Sequence, residues 1–151
     1  MAYAENTSVP IDRSKAEIER ILSVYGAKGF MYGASDERAM IQFKANERIV
    51  RFVLPFPDPM DDSYRRTPTG RTRKSTSHEA AYEQEIRRRW RALALAIKAK
   101  LEVVETGISE FEDEFMAHIV MPDGKTVAET VRPAIAQAYS SGKPVALLPG
   151  F

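Results

Sequence analysis

Residues 29–54 read GFMYGASDERAMIQFKANERIVRFVL, and this stretch decides the fold class. Its β-branched and aromatic residues fall into the runs 29–33, 38–44 and 48–54, separated by Ala34-Ser35-Asp36-Glu37 and by Ala45-Asn46-Glu47. Links this short join only antiparallel neighbours, because parallel strands need a crossover of a dozen or more residues. The stretch is therefore predicted to be a three-stranded antiparallel meander. Ala39, Ile41 and Phe43 alternate with Met40, Gln42 and Lys44, and Val50, Phe52 and Leu54 alternate with Ile49, Arg51 and Val53. One face reads as core and the other as mixed.

Helices are predicted on both sides. Ser14 and Glu17 have capping-box spacing, Ile18, Ile21, Leu22 and Tyr25 share a face, and Gly26 stops the run. Pro55, Pro57 and Pro59 end the sheet and open a basic loop over 55–77 without apolar periodicity. A second box at Thr76 and Glu79 opens a helix to about Thr106, on the order of 40 Å long at 1.5 Å per residue. Its stripe of Ile86, Trp90, Leu93, Ile97, Leu101 and Val104, widened by Ala92, Ala94, Ala96 and Ala99, is expected to cross the sheet. Ser109 and Glu112 suggest a further helix with Phe111 and Phe115 inward. After the turn Pro122-Asp123-Gly124, Thr126 to Glu129 caps a last helix ending near Ser140, with a kink or restart expected at Pro133. The whole is an α+β chain: N-terminal helix, three-stranded antiparallel β-meander, long central helix and two C-terminal helices. Residues 1–151 form a single domain, with an extended arm at 1–13 and an apolar tail at 145–151.

At 151 residues and 44% apolar composition the chain can bury a core without staples. It has no cysteine, which excludes disulfides, thiolate zinc sites and cysteine nucleophiles. No apolar run approaches the roughly 20 residues that cross a bilayer. The first residues, Met1-Ala2-Tyr3-Ala4-Glu5, lack the basic and apolar regions of a secretory signal. A cytoplasmic protein with no membrane partner is expected.

Charge is unevenly spread. From 65 to 100, eleven Lys/Arg face three Glu, a net of +8; from 101 to 130, Lys125 faces eight carboxylates, a net of −7. A basic segment of this density points to a polyanion, and nucleic acid leads. In the loop, Arg65, Arg66, Arg71, Arg73 and Lys74 are interleaved with Thr67, Thr69, Gly70 and Thr72, a composition suited to phosphate contacts. Arg87, Arg88 and Arg91 of the run Arg87-Arg88-Arg89-Trp90-Arg91 extend this set, although residues 100° apart on a helix cannot all share a face. Trp90 reads as a core anchor, with a base-stacking platform as its alternative. Tyr32, Gln42, Lys44 and Arg51 are expected to give the outer sheet face an aromatic and cationic character suited to single strands.

Catalytic signatures are missing from the pattern. Asp58, Asp61 and Asp62 suit magnesium but have no Glu-x-Lys element to complete a nuclease site. His78 sits beside a predicted cap, and His118, among Phe115, Met116, Ile119 and Val120, reads as a core or interface histidine. No serine lies in a nucleophile elbow, and the glycines form neither a P-loop nor a dinucleotide fingerprint. A non-enzymatic protein without cofactors is expected.

The stretches Glu5-Asn6-Thr7-Ser8-Val9-Pro10, Tyr25-Gly26-Ala27, Arg89-Trp90-Arg91-Ala92-Leu93-Ala94-Leu95, Ile97-Lys98-Ala99-Lys100-Leu101-Glu102 and Pro122-Asp123-Gly124-Lys125-Thr126-Val127 resemble a family of small hypothetical proteins of phages and prophages. That resemblance implies a cytoplasmic setting and roles in DNA replication, recombination or countermeasures to host defence. It transfers no site residues. In topology alone, a meander followed by a long helix is similar to the core of ring-forming single-strand annealing proteins, which implies a basic DNA groove and a homo-oligomer. The leading expectation is single-stranded nucleic-acid binding in phage recombination or replication. A module inhibiting a host defence complex is the alternative, through Glu110 to Glu114 or the apolar tail, and a metal-dependent nuclease is the third.

Overall fold

The structure is a computed structural model and describes residues 4, 7–66, 70–72 and 75–148. Helix α1 (Ile11–Tyr25) leads into strands β1 (Lys28–Ala34), β2 (Arg38–Ala45) and β3 (Arg48–Pro55). These form an antiparallel sheet of order β1-β2-β3, as the alternation predicts. Helix α2 (Asp62–Arg65), the long α3 (Ser75–Glu105), α4 (Phe111–Phe115) with a 3-10 turn at Met116–His118, and α5 (Val127–Ser141) follow.

The meander forms because both links are tight. Ala45 pairs with Arg48 across Asn46 and Glu47, whose φ angles of 50° and 62° make the two-residue turn that matches strand twist. Ala39, Ile41, Phe43 and Ala45 of β2 and Val50 and Phe52 of β3 point to one buried face. α3 lies on it, burying Ile86, Trp90, Ala94, Ile97 and Leu101. α1 runs beside α3, and Phe111 and Phe115 close the far end, with Phe115 edge-on to Phe52 at 6.1 Å. Residues 119–127 extend the free edge of β3. Val120 donates to the Ile49 carbonyl at 2.8 Å, and the chain turns back so that Val127 donates to Ile119 at 2.9 Å.

Several boundaries differ from the sequence reading. α1 begins at Ile11, three residues before the expected cap, because Pro10 supplies the extended entry (φ −61°, ψ 152°). Ser14 is thus inside the helix, fully buried beside Ile18 and Leu22, and its Oγ has no hydrogen-bond partner among the described residues. Residues 11–13 belong to this helix rather than to an extended arm. α3 begins at Ser75, so Thr76 to Glu79 are already helical. Ser109 does not cap α4 either: Glu110 holds that position without a side-chain cap bond, and the helix lasts five residues. The box at Thr126 and Glu129 does form, and α5 continues through Pro133.

Ser14 provides a test of this packing. A buried hydroxyl without a partner forfeits its hydration, so Ser14→Ala is expected to stabilise the fold by about 1 kcal/mol. Melting should rise by roughly 2–4 °C for a chain of this size. Unchanged or lower melting would mean that the hydroxyl is bonded.

Candidate nucleic-acid interface

Of the loop predicted over 55–77, residues 75–77 belong to α3, and residues 55–66 make defined contacts with it. The Pro55 carbonyl accepts from Arg89 Nη1, His78 Nε2 meets the Pro59 carbonyl, and Tyr64 stands edge-on to Tyr82 at 5.6 Å, so the segment folds back along α3. The three aspartates serve this local structure. Asp58 Oδ1 accepts from the Met60 N–H, Asp61 caps α2 through the Ser63 N–H, and Asp62 lies 3.7 Å from Arg66 Nε. The same Ser63 donors hold the Asp61 carboxyl below the usual carboxylate range. Among the described residues no group of three or more His, Cys, Asp or Glu comes together as metal ligands.

Beyond α2, Arg66 pairs with Thr72 in an isolated antiparallel bridge, and its Nη1 donates to the Gly70 carbonyl at 3.4 Å. Gly70 sits at φ +87°, a conformation that needs no Cβ. Arg65, at the end of α2, and Arg66 and Arg71, at the bridge, are exposed. Arg73 and Lys74 lie outside the described residues.

The arginines of α3 divide among different flanks of the helix. Arg87 donates to Gln84 Oε1 through Nε and Nη2, at 3.2 and 2.6 Å. Arg88 reaches both oxygens of Glu85 at 3.0 Å, and Arg89 shares that carboxylate at 3.1 Å. Arg91 pairs with Glu17 of α1. Trp90 is 2% exposed, with Lys15 Nζ 4.9 Å from its ring centroid, so the indole is a core anchor and not a stacking platform. These ion pairs draw their carboxylates from the basic segment itself or from α1, not from the acidic segment. The acidic cluster instead meets Arg48, whose Nη2 lies 2.8 Å from Glu112, while Lys100 donates to the Glu114 carbonyl.

Arg91 also borders a surface depression of about 430 Å³ between α1 and α3, lined with Arg13, Ala16, Glu17 and Arg20. Three guanidinium groups surround one carboxylate there. The sequence reading missed Arg13 and Arg20. Their signal was present: Arg13, Ala16, Glu17 and Arg20 recur at i, i+3, i+4 and i+7, away from the Ile18 and Leu22 face.

The sheet residues are placed elsewhere. Lys44 and Arg51 lie on the outer face, opposite the one that α3 covers, so the sheet separates them from the α3 cations. Arg51 is held by Gln42 Oε1 at 3.1 Å and by the Gly124 carbonyl at 3.0 Å. Tyr32 does not join them. It pairs with Ile41, which turns it to the helix side, where its hydroxyl donates to Glu19 at 3.2 Å. Burial, with the Glu19 charge added, pushes its phenol up to about 12. Among the described residues of the sheet, this outer face carries Met31, Ile49 and Val53 beside Lys44 and Arg51, and no aromatic ring.

His118 stacks on Phe52 at 4.2 Å. Burial, assisted by the Lys100 charge, lowers its pKa from 6.5, against a backbone hydrogen bond at Arg51 that raises it. The unfolded chain therefore binds the proton more readily. His118 stabilises the fold fully above pH 6.5, and that contribution falls as pH drops through 6.5 toward the lower folded value. Melting of wild type is expected to decline more steeply than that of His118→Phe as pH falls from 6.5 to 5. Parallel curves would show that the imidazole is freely hydrated.

Comparison with family models, with curated proteins and with solved structures finds no match. Among the described residues, no helix is long and apolar enough to cross a membrane.

Proposed function

We propose that this chain binds single-stranded nucleic acid through its phosphates, without catalysing a reaction on it. The strand follows a basic band from Arg65, Arg66 and Arg71, across Arg88, to the depression that Arg91 borders with Arg13 and Arg20. Arg73 and Lys74 are two further cations in the same stretch of sequence. One observation carries the reading: among the described residues, the ion pairs of Arg66, Arg88, Arg89 and Arg91 are made with Asp62, Glu85 and Glu17, none of which belongs to the acidic segment. A flexible strand suits this band better than a duplex. The 55–66 segment and α1 flank α3 on two sides, which narrows the face of α3 that a duplex major groove would have to admit.

Phosphate contacts dominate such binding, and the missing stacking ring on the outer sheet face argues for backbone tracking over base reading. Lys44 and Arg51, on that far face, form no part of the band. A role in phage recombination or replication is the setting in which such binding has use. Competition between labelled single-stranded and duplex oligonucleotides of one sequence tests the reading: single strands should win. Equal competition would remove the strand preference, and absence of binding at low salt would remove the proposal. A protein-interaction role, as for an inhibitor of a host complex, draws its support from a different surface, the C-terminal helix.

A further inference from the structure

Helix α5 is a 15-residue helix of which no residue is buried. It rests on the 3-10 turn at Met116–His118 through a half-buried side on which Val127 packs against the core, and its outer side leaves Ile135 45% and Tyr139 87% exposed. Beside it runs an apolar groove of about 400 Å³, with Met116 and Ala117 on one wall and Val131 and Ile135 on the other. Asp113 and Arg132 stand at its rim. An isolated helix of about 15 residues is marginal in water, and Pro133 removes one of its internal N–H donors. A cover over its outer side would add to the support that the 3-10 turn gives on the inner one.

We infer that the cover is a second copy of this chain, docked about a two-fold axis with α5 of each copy in the groove of the other. The patch carries both halves of the contact, a ridge at Ile135 and Tyr139 and a groove beside it, which is what an isologous interface requires. Its charges agree. Over Val127–Ser141 the only ionised side chains are Glu129 and Arg132, so two such helices meet without net repulsion. At the rim, Asp113 and Arg132 have opposite signs and form no ion pair with each other, leaving Arg132 to face the partner's Asp113 across the axis. A stripe about 22 Å long covers on the order of 500 Å² per copy, near the lower limit for a specific dimer. An interface of this size belongs with weak, reversible pairing. It is independent of nucleic-acid binding, and it would join two basic bands in one particle.

Sedimentation equilibrium of the full chain from roughly 1 to 200 µM tests this, with helix content by circular dichroism on the same samples. Wild type should pass from monomer to dimer, and helix content should fall on dilution as α5 loses its cover. Ile135→Asp, at an exposed position, should weaken pairing at least tenfold with the Trp90 fluorescence of the core unchanged. Arg132→Asp should weaken it too, and adding Asp113→Arg should restore it. Wild type monomeric throughout would overturn the inference and assign the groove to a different protein. Ile135→Asp pairing like wild type, or a double charge swap no better than Arg132→Asp alone, would overturn it as well.

Discussion

Trp90→Ala is expected to destabilise the fold by about 3–5 kcal/mol, the range for truncating a buried aromatic residue. A domain of this kind has roughly 5–15 kcal/mol in total, so the loss approaches a third or more of it. Melting should fall by roughly 10 °C or more. The cause is position. Trp90 lies at the middle of the α3 stripe, between Ile86 and Ala94 on one helical face, and is 2% exposed. Leu or Phe at this site should lose less, because they refill part of the volume. Urea unfolding checks the magnitude. A variant with native stability but weakened oligonucleotide binding would return Trp90 to the stacking role that its burial denies it.

Replacing Arg65, Arg66 and Arg71 together by alanine should weaken single-strand affinity by about 10- to 1,000-fold at low salt. The salt dependence should flatten with it, since each phosphate contact contributes about 0.7 to the slope of log affinity on log salt for single strands. Stability should hardly change, because these side chains are exposed and surface substitutions usually stay within about 0.5 kcal/mol. The two effects separate binding from folding. Lys44→Ala supplies the control: its side chain is on the opposite face of the sheet, and affinity should stay near wild type. Equal losses from both substitutions would indicate a diffuse response to net charge, not a defined band.

Much of this fold was legible because local and global signals agree. The meander needed only the period of two in β2 and β3 and links too short for a crossover. α3 was legible from its stripe and from Gly107, which sits at φ +80° just past the helix. Capping-box spacing proved reliable where it followed a turn, at Thr126, and misleading at Ser14, where Pro10 had already set the entry angle. Spacing alone cannot tell a cap from a buried serine. α2 escaped notice because four residues cannot display a helical period.

The site was less legible. Tyr32 was grouped with Gln42 and Arg51 on composition, yet it lies two residues from Phe30, which packs toward Phe43, and residues two apart on a strand share a face. The cue was therefore present in β1 itself. The partners of the arginines were not, since Arg91 meets Glu17 across 74 positions of sequence. Only the packing of α1 beside α3 creates that contact, and with it the depression that brings in Arg13 and Arg20.

The central claim is that the basic band holds a phosphate backbone. Affinity of the purified, nuclease-treated protein for a labelled single-stranded oligonucleotide, followed across a salt series, tests it most directly. The account predicts tight binding at low salt and a linear fall of log affinity with log salt, with a slope of about −2 to −4 for three to six contacts. No binding at low salt, or an affinity indifferent to salt, would contradict it.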